Sequence, residues 1–216
     1  MDHASVKAAS GAGVVTGVIL AAGISRRFGK STKQLMEFGG ETLLRRVTQQ
    51  ACQSTLSDVV VVVGYKNEEV SGALRGLNVR FCENMKYKSG ISGSIQAGLG
   101  CLERHSQAVM FLTADQPFLS REVIDRLVTR YRQTLSSIVV PFFMDKPGSP
   151  VIFDRSMFSE LRKLKGEDGG RVLIKRYPKM VDPVVLENDF PLLDIDTLDD
   201  YEALTKRLRL RSEGNS

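Results

Sequence analysis

Most of the chemistry in this chain is concentrated in the run Val18-Ile19-Leu20-Ala21-Ala22-Gly23-Ile24-Ser25-Arg26-Arg27-Phe28-Gly29, with Lys33-Gln34 just beyond it. An apolar stretch empties into a turn of small residues, which lets backbone N–H groups come close to phosphate oxygens. Arg26, Arg27 and Lys33 bring positive charge to the same place. The combination reads as a triphosphate cradle at the carboxyl end of a first β-strand.

Carboxylates supply the complementary chemistry. Asp115 follows the apolar run Val109-Met110-Phe111-Leu112-Thr113-Ala114, where an acid is costly to desolvate unless it is paired or holds a cation. Beside a phosphate cradle it reads as a Mg²⁺ ligand, because Mg²⁺ favours one or two carboxylates plus substrate phosphates. A helix cap or a solvated loop acid is the alternative. Further on, Leu193-Asp194-Ile195-Asp196-Thr197-Leu198-Asp199-Asp200 crowds four acids at a strand–helix junction. The helix dipole accounts for Asp199 and Asp200, and Thr197 is a natural N-cap. Asp194 and Asp196 alternate with apolar residues and so leave one face of a strand. Asp196, at the strand end, is favoured as the second carboxylate on the metal. The stretch from Tyr87 to Gly98 opens a helix with glycine and serine, a start suited to anions or base carbonyls, although Ser92 or Ser94 also serves as a plain N-cap.

Two nucleotide motifs are discounted on spacing, with a P-loop NTPase kept only as a minor alternative. Gly23 to Ser31 resembles a Walker A loop, but five residues separate Gly23 from Gly29 where that loop has four. Gly11, Gly13 and Gly17 miss the dinucleotide-binding spacing and precede a strand rather than follow one.

Strand-like runs at Val14–Leu20, Asp58–Val63, Val79–Cys82, Ala108–Thr113, Ile138–Phe142, Pro150–Phe153, Val181–Leu186 and Leu192–Ile195 must position these groups. They are interleaved with helical spacing at Glu41–Ser54, Asn67–Leu74, Ile91–Arg104, a helix capped by Ser120, Met157–Leu164, Gly170–Tyr177 and Thr197–Leu208. Such alternation specifies a three-layer α/β/α sandwich on a mostly parallel sheet. The stretch Asp145–Leu186, with a turn at Asp145-Lys146-Pro147-Gly148, breaks the alternation and adds a small antiparallel part beside the sheet. The expected organisation is a flexible tail over residues 1–13, one domain over 14–208 and a C-terminal tail over 209–216. In open α/β sheets ligands bind beyond the carboxyl ends of the strands, so the cradle, Asp115 and the region after Cys82 converge there.

Composition narrows the class. The 216 residues carry a net charge of +5, yet the arginines are dispersed and no aromatic-interleaved basic stripe appears, which argues against nucleic acid. No apolar run approaches the ~18 residues of a membrane span. Cys52, Cys82 and Cys101 have no metal-ligand spacing and read as free thiols in a reducing compartment. The segment Met1–Ala12 lacks the apolar block of a secretory signal, and the cytoplasm is the expected location.

Read as a set, Leu20 to Gly29 with Lys33-Gln34-Leu35, Gly90-Ile91-Ser92-Gly93-Ser94, Leu112-Thr113-Ala114-Asp115-Gln116-Pro117, Gly148-Ser149-Pro150, Gly166-Glu167-Asp168-Gly169-Gly170-Arg171 and Asp194-Ile195-Asp196-Thr197 resemble the MobA-like nucleotidyltransferases that build molybdenum cofactor dinucleotides. The molybdenum cofactor cytidylyltransferase group is the best match. The resemblance implies a Rossmann-like sheet of the nucleotide-diphospho-sugar transferase type. It places the nucleoside triphosphate on Leu20, Ala21, Ala22 and Gly23, with Arg26, Arg27 and Lys33 at its phosphates, and the base or ribose near Gly90 and Ser94. It puts Mg²⁺ on Asp115 and Asp196, and names Arg27, Lys33 and Asp115 as the catalytic residues. Ala22 points to CTP, since relatives with Ala-Ala-Gly here tend to use CTP and those with Ala-Gly-Gly tend to use GTP. The implied acceptor is molybdopterin, with a molybdoenzyme as a further partner. Two departures fall where that acceptor is expected: Ser149 stands where many relatives have histidine, and Glu167-Asp168 where many have Asp-Lys. The alternatives are a guanylyltransferase of the same pathway, a cytidylyl- or uridylyltransferase acting on a sugar or isoprenoid-precursor phosphate, and a non-catalytic cofactor-delivery factor.

Overall fold

The computed structural model describes residues 13–24 and 32–213, with side chains to residue 208. In chain order, β1 (Val15–Leu20) leads through a 3-10 turn at Lys33–Leu35 to a short hairpin, β2 (Glu37–Phe38) and β3 (Glu41–Thr42). There follow α1 (Leu43–Gln53), β4 (Asp58–Val63), α2 (Asn67–Gly72), β5 (Arg80–Glu83), α3 (Ile91–Gly100) and β6 (Ala108–Thr113). The second half runs α4 (Arg121–Thr134), β7 (Ile138–Phe143), β8 (Lys146–Pro147), β9 (Val151–Asp154), α5 (Phe158–Arg162), α6 (Arg171–Arg176), β10 (Val181–Val185) and α7 (Leu198–Glu213).

The main sheet has the order β10-β7-β9-β6-β1-β4-β5, with β8 paired to β7. Pairings β1–β4, β1–β6, β4–β5 and β7–β10 are parallel, whereas β9 runs antiparallel to both β6 and β7. The antiparallel strand β9 therefore lies inside the sheet, between β6 and β7, while the short β8, antiparallel to β7, is added off the main path. β4 shows why three layers form. Val59, Val61 and Val63 pack with Val47 of α1, Val70 of α2 and Leu127 of α4. Val60 and Val62 face the other way, toward Ile95 of α3, Leu161 of α5 and Leu173 of α6. A strand buried on both faces has no polar positions to alternate with apolar ones, which explains the unbroken valine run. α3 lies unusually close to the sheet: a Cβ on Gly98 would sit 2.6 Å from Val18 Cγ1.

Several expectations are corrected. Leu192–Ile195 is not a strand; Phe190–Leu192 forms a 3-10 turn, and the chain continues without sheet pairing. Pro191 has no N–H to offer a ladder, and Ile195 N–H instead donates to the backbone oxygen of Asp115 at 2.9 Å. The Asp194–Asp196 stretch thus runs against the loop after β6. α7 continues to Glu213, beyond the expected end at Leu208 and into the expected tail. α3 stops at Gly100, short of Arg104. Ser120 occupies the N-cap position of α4, but its side chain makes no capping bond to the backbone. Of the expected N-terminal tail over residues 1–13, residues 1–12 lie outside the described residues.

The cysteine expectation also changes. Cys82 on β5 and Cys101 just after α3 form a disulfide, leaving Cys52 as the free thiol among the described residues. The reason is tertiary: β5 and α3 are sheet-and-helix neighbours, which brings the two Cα atoms to 6.2 Å, within reach of a bridge. No described helix is long and apolar enough to cross a membrane.

Candidate active site

The strand order reverses at β1, with β4 and β5 on one side and β6 on the other. A cleft of about 460 Å³ opens at the carboxyl ends of these strands, lined by Leu20 at the end of β1, by Thr113 at the end of β6 and by Ala114 and Asp115 just beyond it. Switch points of open α/β sheets are where ligands bind. The volume falls in the ~300–1,000 Å³ range of small-molecule sites.

Two carboxylates and one ammonium meet in the cleft. Lys33 Nζ donates to Asp115 Oδ2 at 2.8 Å and to Asp196 Oδ1 at 3.0 Å, across 82 and 163 positions of chain. The 3-10 turn holds Lys33, the loop just beyond β6 holds Asp115, and the segment leading into α7 holds Asp196. A capping arrangement fixes that last position: Asp200 Oδ2 accepts from Asp196 N and Thr197 N, while Asp200 N donates to Thr197 Oγ1 at 3.1 Å. This is a capping box with aspartate in the acidic position. Phe38, Leu43, Ile195 and Leu204 form a separate small core that pins α7 and the β2–β3 hairpin together. Burial pushes the Lys33 pKa down, but Asp115 and then Asp196 outweigh it and hold the ammonium above its usual value.

Asp194 behaves differently from Asp196. Burial, reinforced by the charges of Asp115 and Asp196, pushes its pKa from 3.8 up to about 6, with Arg171 and Lys33 opposing. Asp194 does not line the cleft, whereas Asp196 does. Since folding raises this pKa, the folded chain keeps a proton that the unfolded chain releases between about pH 4 and 6. The Asp194 contribution to stability is complete below pH 4 and is lost as pH climbs through 6. Asp194→Asn should therefore stabilise metal-free protein by about 3 kcal/mol at pH 7.5, and the gain should vanish near pH 4. Denaturant midpoints across this range test it; an equal effect at every pH would show that Asp194 does not titrate as described.

The opposite wall comes from the start of α3. Gly90 and Ser94 line the cleft together with Tyr87, Lys88 and Glu167. Gly90 has φ +87°, and a Cβ there would lie 2.3 Å from Gly166 O. Ser92 N donates to that same oxygen at 3.1 Å, so the 166–170 loop docks directly on the helix start. Gly90→Ala should cost roughly 3 kcal/mol, combining backbone strain and a backbone clash, and a melting curve reads it. Ser94 is oriented by a buried partner, Asn84, whose Nδ2 donates to Ser94 Oγ at 3.1 Å while its Oδ1 accepts from Lys86 N. That second bond fixes the amide orientation, so the Ser94 hydroxyl accepts from Asn84 and keeps its own proton to give.

Of the sequence candidates, Leu20, Ala22, Gly23, Lys33, Gly90, Ser94, Asp115 and Asp196 converge on the cleft. Ala21 does not line it; its side chain joins the core and its N–H donates to Val62 O. Arg26 and Arg27 lie outside the described residues. Gln34 and Glu167 belong to the motifs quoted from the sequence but have no place in the expected nucleotide site, Lys88 lies within the Tyr87 to Gly98 stretch without a role, and Asn84 is not named there. Glu167 reaches the cleft only through loop docking, while Lys88 sits beside the glycine–serine motif, where its proximity was a usable signal.

The donor set suits a particular kind of cation. Asp115 Oδ1 is buried and has no partner among the described residues. Among those residues no group of three His, Cys, Asp or Glu side chains is arranged to hold a metal. Two converging carboxylates, one with an unused buried oxygen, fit a hard divalent ion that keeps several waters and takes phosphate oxygens; they do not fit a closed structural zinc site.

Residues 17–181 match the model of the MobA-like NTP transferase domain. The chain belongs to this family. It is a nucleotidyltransferase at that level, with a fold of the Rossmann-like type. Nicotine blue oxidoreductase of Paenarthrobacter nicotinovorans is 27% identical, covering 86% of this chain and 93% of that protein. A probable molybdenum cofactor guanylyltransferase of Methanosarcina acetivorans is 30% identical, over 51% of this chain and 50% of its own length. Among solved structures, Rv0371c of Mycobacterium tuberculosis in complex with manganese is 26% identical with a TM-score of 0.75, covering 90% of this chain and 99% of that one.

Proposed function

We propose that this nucleotidyltransferase transfers CMP from CTP to the terminal phosphate of molybdopterin or the molybdenum cofactor, releasing pyrophosphate. The observation that carries the nucleotidyl-transfer chemistry is the contact of Lys33 Nζ with both Asp115 and Asp196 at the mouth of the Leu20–Gly23 loop. A non-catalytic delivery factor has no need for a cation bridging two acids beside a phosphate loop. The choice of CTP is supported by Ala22, and the choice of acceptor by the molybdenum cofactor relative and the motifs shared with that group.

In the reaction an oxygen of the acceptor's terminal phosphate forms a bond to the α-phosphorus of CTP, and the bond from that phosphorus to the bridging oxygen of pyrophosphate breaks. Asp115 and Asp196 would hold the divalent ion, Mg²⁺ in this proposal. When bound, that ion neutralises charge on the nucleotide phosphates. Lys33 leaves its carboxylate partners in part to meet the transferring phosphoryl group, and Arg27 serves the pyrophosphate side. Loop N–H groups at Ala22 to Ile24 hold phosphate oxygens, and Ser94 donates its proton to the base or ribose. Catalysis is then positioning and charge neutralisation, with no covalent enzyme intermediate. The test is incubation with molybdopterin-type cofactor, Mg²⁺ and CTP or GTP, followed by mass analysis of the product and a pyrophosphate assay. A cytosine dinucleotide is expected. A guanine product, or turnover only with a sugar or isoprenoid-precursor phosphate, would replace the substrates while keeping the chemistry.

A further inference from the structure

Gln34 lies beneath the phosphate loop, in the turn that carries Lys33. Its buried side chain donates from Nε2 to Ala21 O at 2.8 Å and, at a longer 3.4 Å, to Gly23 O. Within a trans peptide unit the C=O and the following N–H point in opposite directions. Gln34 thereby turns the N–H groups of Ala22 and Ile24 away from itself, and no described residue accepts from either. The intervening unit is held from the strand side, where Ala22 O accepts from Tyr65 N at 3.3 Å, and the unit before the loop is held by Ala21 N, which donates to Val62 O at 2.9 Å. The loop is gripped between β4 and one glutamine, and Ala22, Gly23 and Ile24 all line the cleft.

We infer that Gln34 is a positioning residue: it sets the loop's N–H groups for phosphate oxygens before the nucleotide arrives. The inference rests on the nucleotidyltransferase reading of the cleft. The side-chain chemistry suits the task, because a primary amide carries two N–H donors and no charge. Glutamate would set a second anion against two carbonyl oxygens and beneath the phosphates, and methionine would fill the volume with no donor. Donors fixed in advance need no ordering when ligand binds.

Full-length Gln34→Met and Gln34→Glu variants test this, with equilibrium binding of inorganic tripolyphosphate and of CTP, steady-state kinetics and thermal melts. Gln34→Met should weaken both ligands about tenfold and raise KM for the nucleotide by about the same factor. Its kcat should change less than about threefold, and the acceptor KM should stay unchanged, because the loop touches only the nucleotide. Gln34→Glu should weaken binding further, by about a hundredfold, through added like charge. Wild-type-like binding by Gln34→Met overturns the inference, as does a lowered melting point with binding and KM unmoved. Should Gln34→Met fail to fold, Gln34→Glu, equal in length and polar, decides by the same comparison. Wild-type protein that binds neither tripolyphosphate nor CTP removes the nucleotidyltransferase reading itself, an outcome separate from any difference between variants.

Discussion

Lys33→Ala should lower kcat by about 10²–10³-fold while the chain stays folded, the loss typical of removing one preorganised charge stabiliser. The size of the effect follows from how Lys33 is held. Its side chain is 14% exposed and contacts Asp115 and Asp196 at once, so its charge is already in place when substrate binds and is only weakly screened by water. Alanine removes that charge and leaves two acids facing each other beside Asp194. Because Asp115 is itself largely buried, the variant should also lose about 1–2 kcal/mol of stability, less than for a fully buried pair. Lys33→Arg separates the two effects. It keeps the positive charge and most of the stability, but a planar, longer guanidinium does not reproduce the placement of Nζ, so turnover should stay low. Single-turnover kinetics with denaturant melts read both quantities. Near-normal turnover in Lys33→Ala would falsify the assignment.

Asp115→Asn should lower metal-supported turnover by about 10³-fold and weaken divalent-ion binding, with a small change in melting temperature. The carboxylate has one oxygen on Lys33 and one buried oxygen with no described partner, an arrangement that does little for folding and suits a cation. Asparagine keeps the shape, and the bond from Ile195 N to the Asp115 backbone oxygen does not depend on the side chain. Two readouts accompany the rate: manganese binding by calorimetry, expected to weaken, and the pH profile of stability. The Asp115 charge is one cause of the raised Asp194 pKa, so the variant should move the loss of stability with rising pH to lower pH. Unfolding of Asp115→Asn, with no change in metal affinity of what remains folded, would mark the acid as structural.

The chain's local chemistry shows directly which parts are legible without coordinates. A continuous valine run at Asp58–Val63 and an apolar run at Ala108–Thr113 have the residues of doubly buried parallel strands, and both form as expected. Asp115 stands out because an acid at the end of an apolar run needs a partner or a ligand, Lys33 because it brings charge to the small-residue turn after β1, and Asp196 because it alternates with apolar residues. The shared motifs add the family, which residues 17–181 match. Elsewhere local pattern misleads. Leu192–Ile195 alternates like a strand, yet Ile195 spends its N–H on Asp115 rather than on a neighbouring strand. Cys82 and Cys101 carry no spacing that signals a bridge, and only the packing of α3 against β5 brings them together.

Residue order by itself determined the alternating strands and helices, the small-residue turn after β1 and the acid just beyond β6, because propensity, periodicity and the cost of burying charge act within a few neighbouring positions. Tertiary structure decided the rest. It kept Asp194 out of the cleft lining, where burial raises its pKa, and placed β9 inside the sheet. It docked the 166–170 loop on Gly90 and set Gln34 under the loop it grips. Each of these joins segments distant in the chain, and which distant segments meet depends on how the two faces of the sheet are covered, a property no short stretch of sequence carries.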